Sequence, residues 1–128
     1  YYIYEQDNVF SLLPWDLNES FGSFNMGCRT DIRELYIDEP TDGALADKPF
    51  IAHVFANANN IDTYNGYLTE LIEGSLSSSA FAARVAGISE LISEHVANDP
   101  TAFYSHSEFL QNQHSTVDRF YGLTSFID

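Results

Sequence analysis

Basic side chains are scarce in this sequence. Lysine and arginine together number 5 against 19 aspartates and glutamates, which gives a formal net charge of −14, and Lys48 is the single lysine. A surface of this sign repels nucleic acid and anionic lipid, so no nucleic-acid partner is expected. Scarce lysine with abundant acid favours a high-salt or secreted setting, although ordinary acidic domains share this composition.

Cysteine and long apolar runs are scarce as well. Cys28 is the only cysteine, so an internal disulfide is excluded and with it a disulfide-stapled secreted scaffold. We predict that Cys28 is a small buried hydrophobe, with a reactive thiol as the alternative. No apolar run is long enough to cross a bilayer, and no membrane insertion is expected.

Several motifs of catalytic chemistry are missing. There is no Gly-x-Ser-x-Gly elbow and no P-loop, so serine-hydrolase and Walker-type nucleotidase readings have no support. No two histidines have the spacing of a zinc site, and we predict surface or helix-end positions for all of them: His53, His95, His106 and His114.

What the sequence does contain begins with two β-prone runs. "YYIY" and "VFSLL" are separated by the polar residues Glu5 to Asn8, which predicts a β-hairpin with a four-residue connection. Pro14 closes the second strand because proline has no N–H for a ladder. From residue 22 to 48 no period is visible, apart from a short helical turn predicted over 31–36.

After Pro49 the pattern becomes helical. Asn59 or Asn60 is the predicted cap of one helix that Gly74 ends, and Ser105 with Glu108 has the spacing of a capping box. Apolar side chains recur at three- and four-residue intervals, and we expect one core from Leu68, Leu71, Phe81, Val85, Ile88 and Ile92. With 128 residues, one α+β domain is predicted: an N-terminal β-hairpin, a long irregular segment, then a helical bundle.

The candidate site follows the second strand. Asp16, Asn18 and Glu19 come directly after Pro14-Trp15, and carboxylates at a strand end can hold Mg²⁺ together with substrate phosphates. Asp16 as a strand-terminating cap is the equal alternative from the residues alone. Downstream, Arg29, Arg33 and Lys48 serve either phosphate recognition or, as we favour, local pairing with Asp31, Glu34 or Asp47.

A family resemblance extends this interpretation. "NVFSLLPWDLNESFG" resembles the strand and metal motif of the CotH family, the spore-coat-protein-H-like kinases, with its Pro-Trp-Asp and Phe-Gly. "KPFIAHVFANANNIDTYNGYLTELIEG", "DPTAFYSHSEFL" and "GLTSFI" resemble later segments of that family. The resemblance covers essentially all of residues 1–128.

The resemblance implies the C-terminal lobe of a protein-kinase-like fold. ATP and a divalent cation, Mg²⁺ or Mn²⁺, would phosphorylate a Ser/Thr hydroxyl of a protein substrate, with Asp16 as the metal ligand. Asn18 and Glu19 lie where the family varies. The catalytic-loop residues, the phosphate-covering loop and the nucleotide-binding lysine are expected upstream of Tyr1, so the 128 residues alone should be inactive. An extracellular, cell-surface or spore-coat location is expected.

Two hypotheses remain at this point. The first is an active kinase, of which this chain is the C-terminal part. The second is a non-catalytic cell-surface or extracellular binding or structural module that kept the kinase-like shape and lost phosphate transfer. The presence of Asp16 favours the first hypothesis.

Overall fold

The computed structural model of the chain describes residues 2–15, 17, 20–24, 31–38 and 43–128. Within these residues an antiparallel β-hairpin precedes five α-helices, which confirms the predicted α+β class and the order of its parts.

The hairpin is tighter than the sequence predicted. Strand β1 (Tyr2–Gln6) pairs with β2 (Val9–Leu13), and Gln6 lies opposite Val9. The connection is therefore the two residues Asp7 and Asn8, not four, with φ of 55° and 62°. Positive φ at both central residues defines the turn whose twist matches a hairpin, and Asp and Asn tolerate it better than most residues. The second strand ends before Pro14, as expected.

The apolar side chains of the hairpin are exposed on both of its faces. Alternation along the strands puts Tyr2, Tyr4, Val9 and Leu13 on one face and Ile3, Phe10 and Leu12 on the other. Each of these side chains is exposed. A hairpin with apolar side chains on both faces has the composition of a layer between two others.

The described part of the irregular segment contains two 3₁₀ turns, Ile32–Glu34 and Leu45–Asp47. Asp31 caps the first by accepting the Arg33 backbone N–H at 3.0 Å. This confirms the helical turn predicted over 31–36.

The helices are α1 (Pro49–Phe55), α2 (Ala58–Glu73), α3 (Ser78–Ala97), α4 (His106–Asn112) and α5 (Leu123–Ile127). Asn57 caps α2, by accepting the Asn59 N–H at 2.9 Å, so the prediction of Asn59 or Asn60 was wrong by two residues or three. Gly74 ends α2 as predicted. The Ser105–Glu108 capping box of α4 is confirmed with both reciprocal hydrogen bonds.

The core is smaller than predicted and lies along a different stripe of α3. Phe81 and Val85 are buried as expected, but Leu71 and Ile92 are exposed and Ile88 is 52% exposed. The buried residues of α3 are Phe81, Val85 and Ser89, which follow one another at four-residue intervals. A polar residue thus continues the buried stripe, and Ile88 lies about 100° around the helix from it.

The partners of α3 explain this difference. Helix α3 packs against α5 and α4, whereas α2 packs against α1. A core shared by α2 and α3 would have required Leu68 and Leu71 to face α3. Leu68 is only half-buried, and the predicted single core of the two helices was wrong.

Candidate functional site

The carboxylate cluster predicted as the site, Asp16, Asn18 and Glu19, lies outside the described residues, as do Cys28 and Arg29. The neighbours on either side of Asp16, Trp15 and Leu17, are described. The contacts of the described residues before and after this cluster define the surroundings of the candidate site.

On the upstream side, Trp15 rests on the open end of the hairpin. Its ring meets the Tyr2 ring edge-on, with the ring centroids 5.8 Å apart and the planes at 86°. Tyr2 lies opposite Leu13, two residues before Trp15, so the hairpin register itself brings the two rings together. Edge-to-face contact is a favoured aromatic geometry and adds to the burial of the rings.

On the downstream side, Phe21 and Gly22 pack against helices α3 and α5. The Phe21 ring lies 5.4 Å from that of Phe81 in α3 and 6.0 Å from that of Phe126 in α5, centroid to centroid. Phe21 and Gly22 both have positive φ, 57° and 74°. A Cβ on Gly22 would lie 2.7 Å from Ile32 Cγ2 and 2.9 Å from Phe126 Cε2, so the close approach requires glycine.

A second stretch of chain returns to the same place at residues 31–33. The Arg33 guanidinium and the Asp31 carboxylate form an ion pair, with Nη2 to Oδ2 at 2.7 Å and Nε to Oδ1 at 3.1 Å. This confirms local pairing for Arg33. The same guanidinium lies over the Tyr121 ring, with Cζ 4.5 Å from its centroid. Arg33 donates to Asp31 from its side chain and from its backbone N–H, and both hydrogen bonds hold the pKa of Asp31 well below its ordinary value.

A cavity of about 760 Å³ opens between the chain that follows Asp16 and the α4–α5 region. Leu17, Phe21 and Phe24 line it on one side, and Phe109, Phe120 and Tyr121 are among the residues that line it on the other. Its volume falls within the range of small-molecule and side-chain pockets, and its walls are mostly aromatic and aliphatic. Leu17, the first of its lining residues in the sequence, directly follows Asp16.

Two polar contacts join α3 to α4 and to the residue that follows α4. The Gln113 amide donates to the buried hydroxyl of Ser89, and Ser93 Oγ lies 2.8 Å from His106 Nε2. Because Ser89 and Gln113 are both buried, each satisfies a group that would otherwise be costly to bury. These contacts fix the helices that carry the far wall of the cavity.

Sequence reasoning missed the role of Tyr121. This ring contacts Arg33 and approaches Gly22, while its backbone carbonyl accepts a hydrogen bond from Asn112 Nδ2 at 3.1 Å. The available signal was the run Phe120-Tyr121-Gly122 before an apolar helix. A single sequence does not say which of the two rings meets the segment after the hairpin.

No metal cluster is assembled by the described residues alone. Among them, no three His, Cys, Asp or Glu side chains lie together as a set that could hold an ion. No described helix is long and apolar enough to span a membrane.

Comparison with known proteins identifies the family. The family model described as CotH kinase protein matches residues 1–128. No curated protein and no solved structure matches the chain. The match spans the hairpin, the Pro-Trp-Asp and Phe-Gly motifs and all five of the helices described above. The chain belongs to the CotH kinase protein family.

Proposed function

We propose that this chain is the C-terminal part of a CotH-type kinase domain that transfers phosphate from ATP to a Ser/Thr hydroxyl of a protein substrate. The family match over the whole chain carries the proposal. A spore-coat, cell-surface or other extracellular location accords with the family and with the net charge of −14.

Asp16 is the proposed ligand of Mg²⁺ or Mn²⁺. In protein kinases an aspartate after a hairpin holds the cation that bridges the nucleotide phosphates. Mg²⁺ is usually held by one or two carboxylates, with phosphate oxygens and waters completing its coordination. A lone carboxylate at the strand end, with Glu19 as the nearest second one, fits this mode better than a closed cage of protein ligands. Asn18 and Glu19 have no role assigned beyond the neighbourhood of the ion.

In this proposal, residues of the chain help to hold the metal ligand in place for the reaction. Trp15 contacts Tyr2 of the hairpin and Phe21 contacts α3 and α5, so an aromatic contact lies on each side of the five residues between them. Holding a ligand in place before the reaction lowers the cost of reaching the productive geometry. A bound divalent cation would neutralise phosphate charge during transfer.

The exposed hairpin supports the proposal that more of the kinase domain packs here. Apolar side chains on both faces of β1 and β2 are exposed, including Ile3, Phe10 and Leu12. The catalytic aspartate and asparagine, the phosphate-covering loop and the nucleotide-binding lysine are proposed to lie on that missing part. By this proposal the 128 residues alone transfer no phosphate and bind the metal weakly.

A radiolabelled-ATP assay on the chain joined to the rest of its kinase domain tests the proposal. Loss of a residue that only orients a metal ligand costs roughly 10–100-fold. Asp16→Asn removes the proposed ligand itself, so phosphate incorporation should fall by more than that. The reason is that asparagine keeps the shape of the side chain and removes its charge. Asp62→Asn on the exposed surface of α2 is the charge-matched control and should retain full activity. Asn18→Ala should cost much less than Asp16→Asn.

The metal requirement is tested in the same assay. Activity should disappear with a chelator and return with added Mg²⁺ or Mn²⁺. Equal incorporation by the wild type and by Asp16→Asn would refute the kinase assignment of this motif. The non-catalytic binding module would then be the better account of the exposed hairpin and the aromatic cavity.

A further inference from the structure

The cavity of about 760 Å³ has an aromatic mouth. Phe103 and Tyr104, which follow α3 in the chain, line the cavity and are exposed, Phe103 to 97%. The Tyr104 ring meets the Phe120 ring edge-on, with the centroids 5.8 Å apart and the planes at 84°. Aromatic rings attract a further ring when it is offset or edge-on, so this mouth favours a planar aromatic group as its guest.

One cation lies at the same mouth. Arg119 lines the cavity, is exposed, and places Cζ 5.1 Å from the centroid of the Phe120 ring. A tight turn presents it, across which Val117 and Phe120 exchange two backbone hydrogen bonds of 3.0 Å. Asp118, with a φ of 52°, and Arg119 are the central residues of this turn. Asn112 Nδ2 donates to the Phe120 carbonyl at 3.1 Å, so the end of α4 holds the turn in place.

Three other polar side chains of the lining are used by the fold. The Glu108 carboxylate accepts hydrogen bonds from the Ser105 hydroxyl at 2.6 Å and from the Ser105 backbone N–H at 2.8 Å, and both lower the pKa of Glu108. The Asn112 amide donates to backbone carbonyls, and the Gln113 amide donates to a buried hydroxyl of α3. Within the described part of the chain, no carboxylate forms an ion pair with Arg119. Its charge is therefore open to a ligand.

We propose that this cavity binds a small aromatic carboxylic acid, with its ring among the aromatic walls and its carboxylate on the Arg119 guanidinium. Arginine presents a planar set of donors that matches the two oxygens of a carboxylate. Small-molecule sites have this composition, mostly apolar walls with a few placed polar groups. No residue of β1 or β2 lines the cavity, so it offers no strand edge of the kind that captures an extended peptide. The inference depends neither on Asp16 nor on phosphate transfer.

A matched pair of ligands separates the aromatic ring from the charge. Naphthylacetate carries two fused rings and a carboxylate that is ionised at neutral pH, whereas naphthylethanol keeps the rings and replaces the charge by a hydroxyl. Titration calorimetry of the 128-residue chain with each ligand gives the two dissociation constants, without ATP or metal. The acid should bind about fivefold more tightly, which is the upper value for an exposed ion pair. The charge of Glu108 opposes an anion, so a larger ratio is not expected.

Arg119→Gln tests the cation. It should weaken binding of the acid about fivefold and leave binding of the alcohol within about twofold of the wild type. Arg84→Gln, at an exposed position of α3, is the matched control because Arg84 does not line the cavity, and it should leave both affinities unchanged. Equal losses for the two arginine variants would show that the overall charge attracts the acid, and the assignment of Arg119 would be refuted. An unchanged affinity of Arg119→Gln for the acid would refute it as well.

Phe103→Ala tests the aromatic mouth. Because Phe103 is almost wholly exposed, its loss should leave the melting temperature nearly unchanged. Both the acid and the alcohol should bind roughly three- to tenfold more weakly, since both lose the same ring contact. Tyr67→Ala removes an exposed ring of α2 that does not line the cavity and should leave both affinities as they were. If Phe103→Ala binds both ligands like the wild type, they bind elsewhere, with the exposed faces of the hairpin as the next candidate, and the proposal is wrong.

A third ligand distinguishes a free acid from the end of a protein chain. Acetylated Gly-Gly-Phe with a free C-terminal carboxylate presents a ring and a carboxylate on a flexible peptide. It should bind more weakly than naphthylacetate, because ordering the peptide costs entropy. Tighter binding of the peptide would make a protein terminus the ligand instead. If the wild type shows no saturable binding of naphthylacetate, the cavity is not a site for aromatic acids, and the proposed kinase function is unaffected.

Discussion

Replacing Gly22 by alanine should destabilise the protein by an amount that the structure allows us to divide in two. Gly22 has a φ of 74°, where an L side chain costs about 1–2 kcal/mol. The new Cβ would also lie 2.7 Å from Ile32 Cγ2 and 2.9 Å from Phe126 Cε2. Neither atom can move away easily, because isoleucine is stiff at χ1 and the Phe126 ring is packed on Phe21. Crowding of this kind costs about 1–3 kcal/mol, so the total should be about 2–5 kcal/mol.

Two other glycines serve as controls for the two parts. Gly43 has a φ of 82°, and a Cβ there would meet no atom within 4 Å, so Gly43→Ala should show the backbone cost alone. Gly87 lies inside α3 with equally open space, and Gly87→Ala should stabilise the protein by about 0.5–1 kcal/mol through helix propensity.

Urea unfolding followed by circular dichroism gives the three free energies of unfolding. The free energy of unfolding should be highest for Gly87→Ala, followed by the wild type, then Gly43→Ala, and it should be lowest for Gly22→Ala. If Gly22→Ala loses no more stability than Gly43→Ala, the close contact among Gly22, Ile32 and Phe126 does not exist in solution, and the packing of Phe21-Gly22 on the helices is refuted.

Three further predictions follow from the packing and the caps. Phe81→Ala should lower the free energy of unfolding by about 3–5 kcal/mol because Phe81 is only 6% exposed, whereas Ile88→Ala should lower it by less than about 1 kcal/mol. Similar losses for the two variants in urea unfolding would contradict the observed core of α3. Ser105→Ala removes the cap of α4 and should cost about 1 kcal/mol, measured in the same way, and no loss would mean that the cap is not formed. The pKa of Asp31 is lowered in the folded state, so its contribution to stability is present above the ordinary aspartate value of about 3.9 and is lost as the pH falls below it. Asp31→Asn should flatten that part of the melting-temperature profile, and an unchanged profile would show that the ion pair with Arg33 is not formed.

The sequence predicted what is local and missed what depends on packing. The hairpin, the Gly74 helix end and the Ser105–Glu108 capping box each depend on neighbouring residues and were found. The turn was predicted two residues too long, because Glu5 and Gln6 are polar but remain paired with β2. A polar strand end looks like a loop when only composition is read.

The core and the anchoring of the site depended on information that periodicity does not contain. Apolar spacing marks a stripe on α3, but which edge of that stripe is buried depends on α4 and α5, and Ser89 completes it through a hydrogen bond to Gln113. The same applies to Tyr121 and Arg33, which are 88 residues apart in the sequence and meet as a ring and a cation. Asp16 itself was proposed from a motif and lies outside the described residues.

The two anchors on either side of Asp16 differ in what they depend on. Phe21 and Gly22 pack on α3 and α5, within the part of the chain that has its own buried core. Trp15 packs on Tyr2 of a two-stranded hairpin whose apolar faces are both exposed, and such a hairpin is only marginally stable in water. The downstream contacts of Phe21 and Gly22 are therefore stable within this chain. The upstream contact of Trp15 should become stable only when another part of the protein covers the hairpin. If Asp16 binds the proposed divalent cation, its affinity should rise when that surface is covered, because the contacts on both sides of the segment are then fixed.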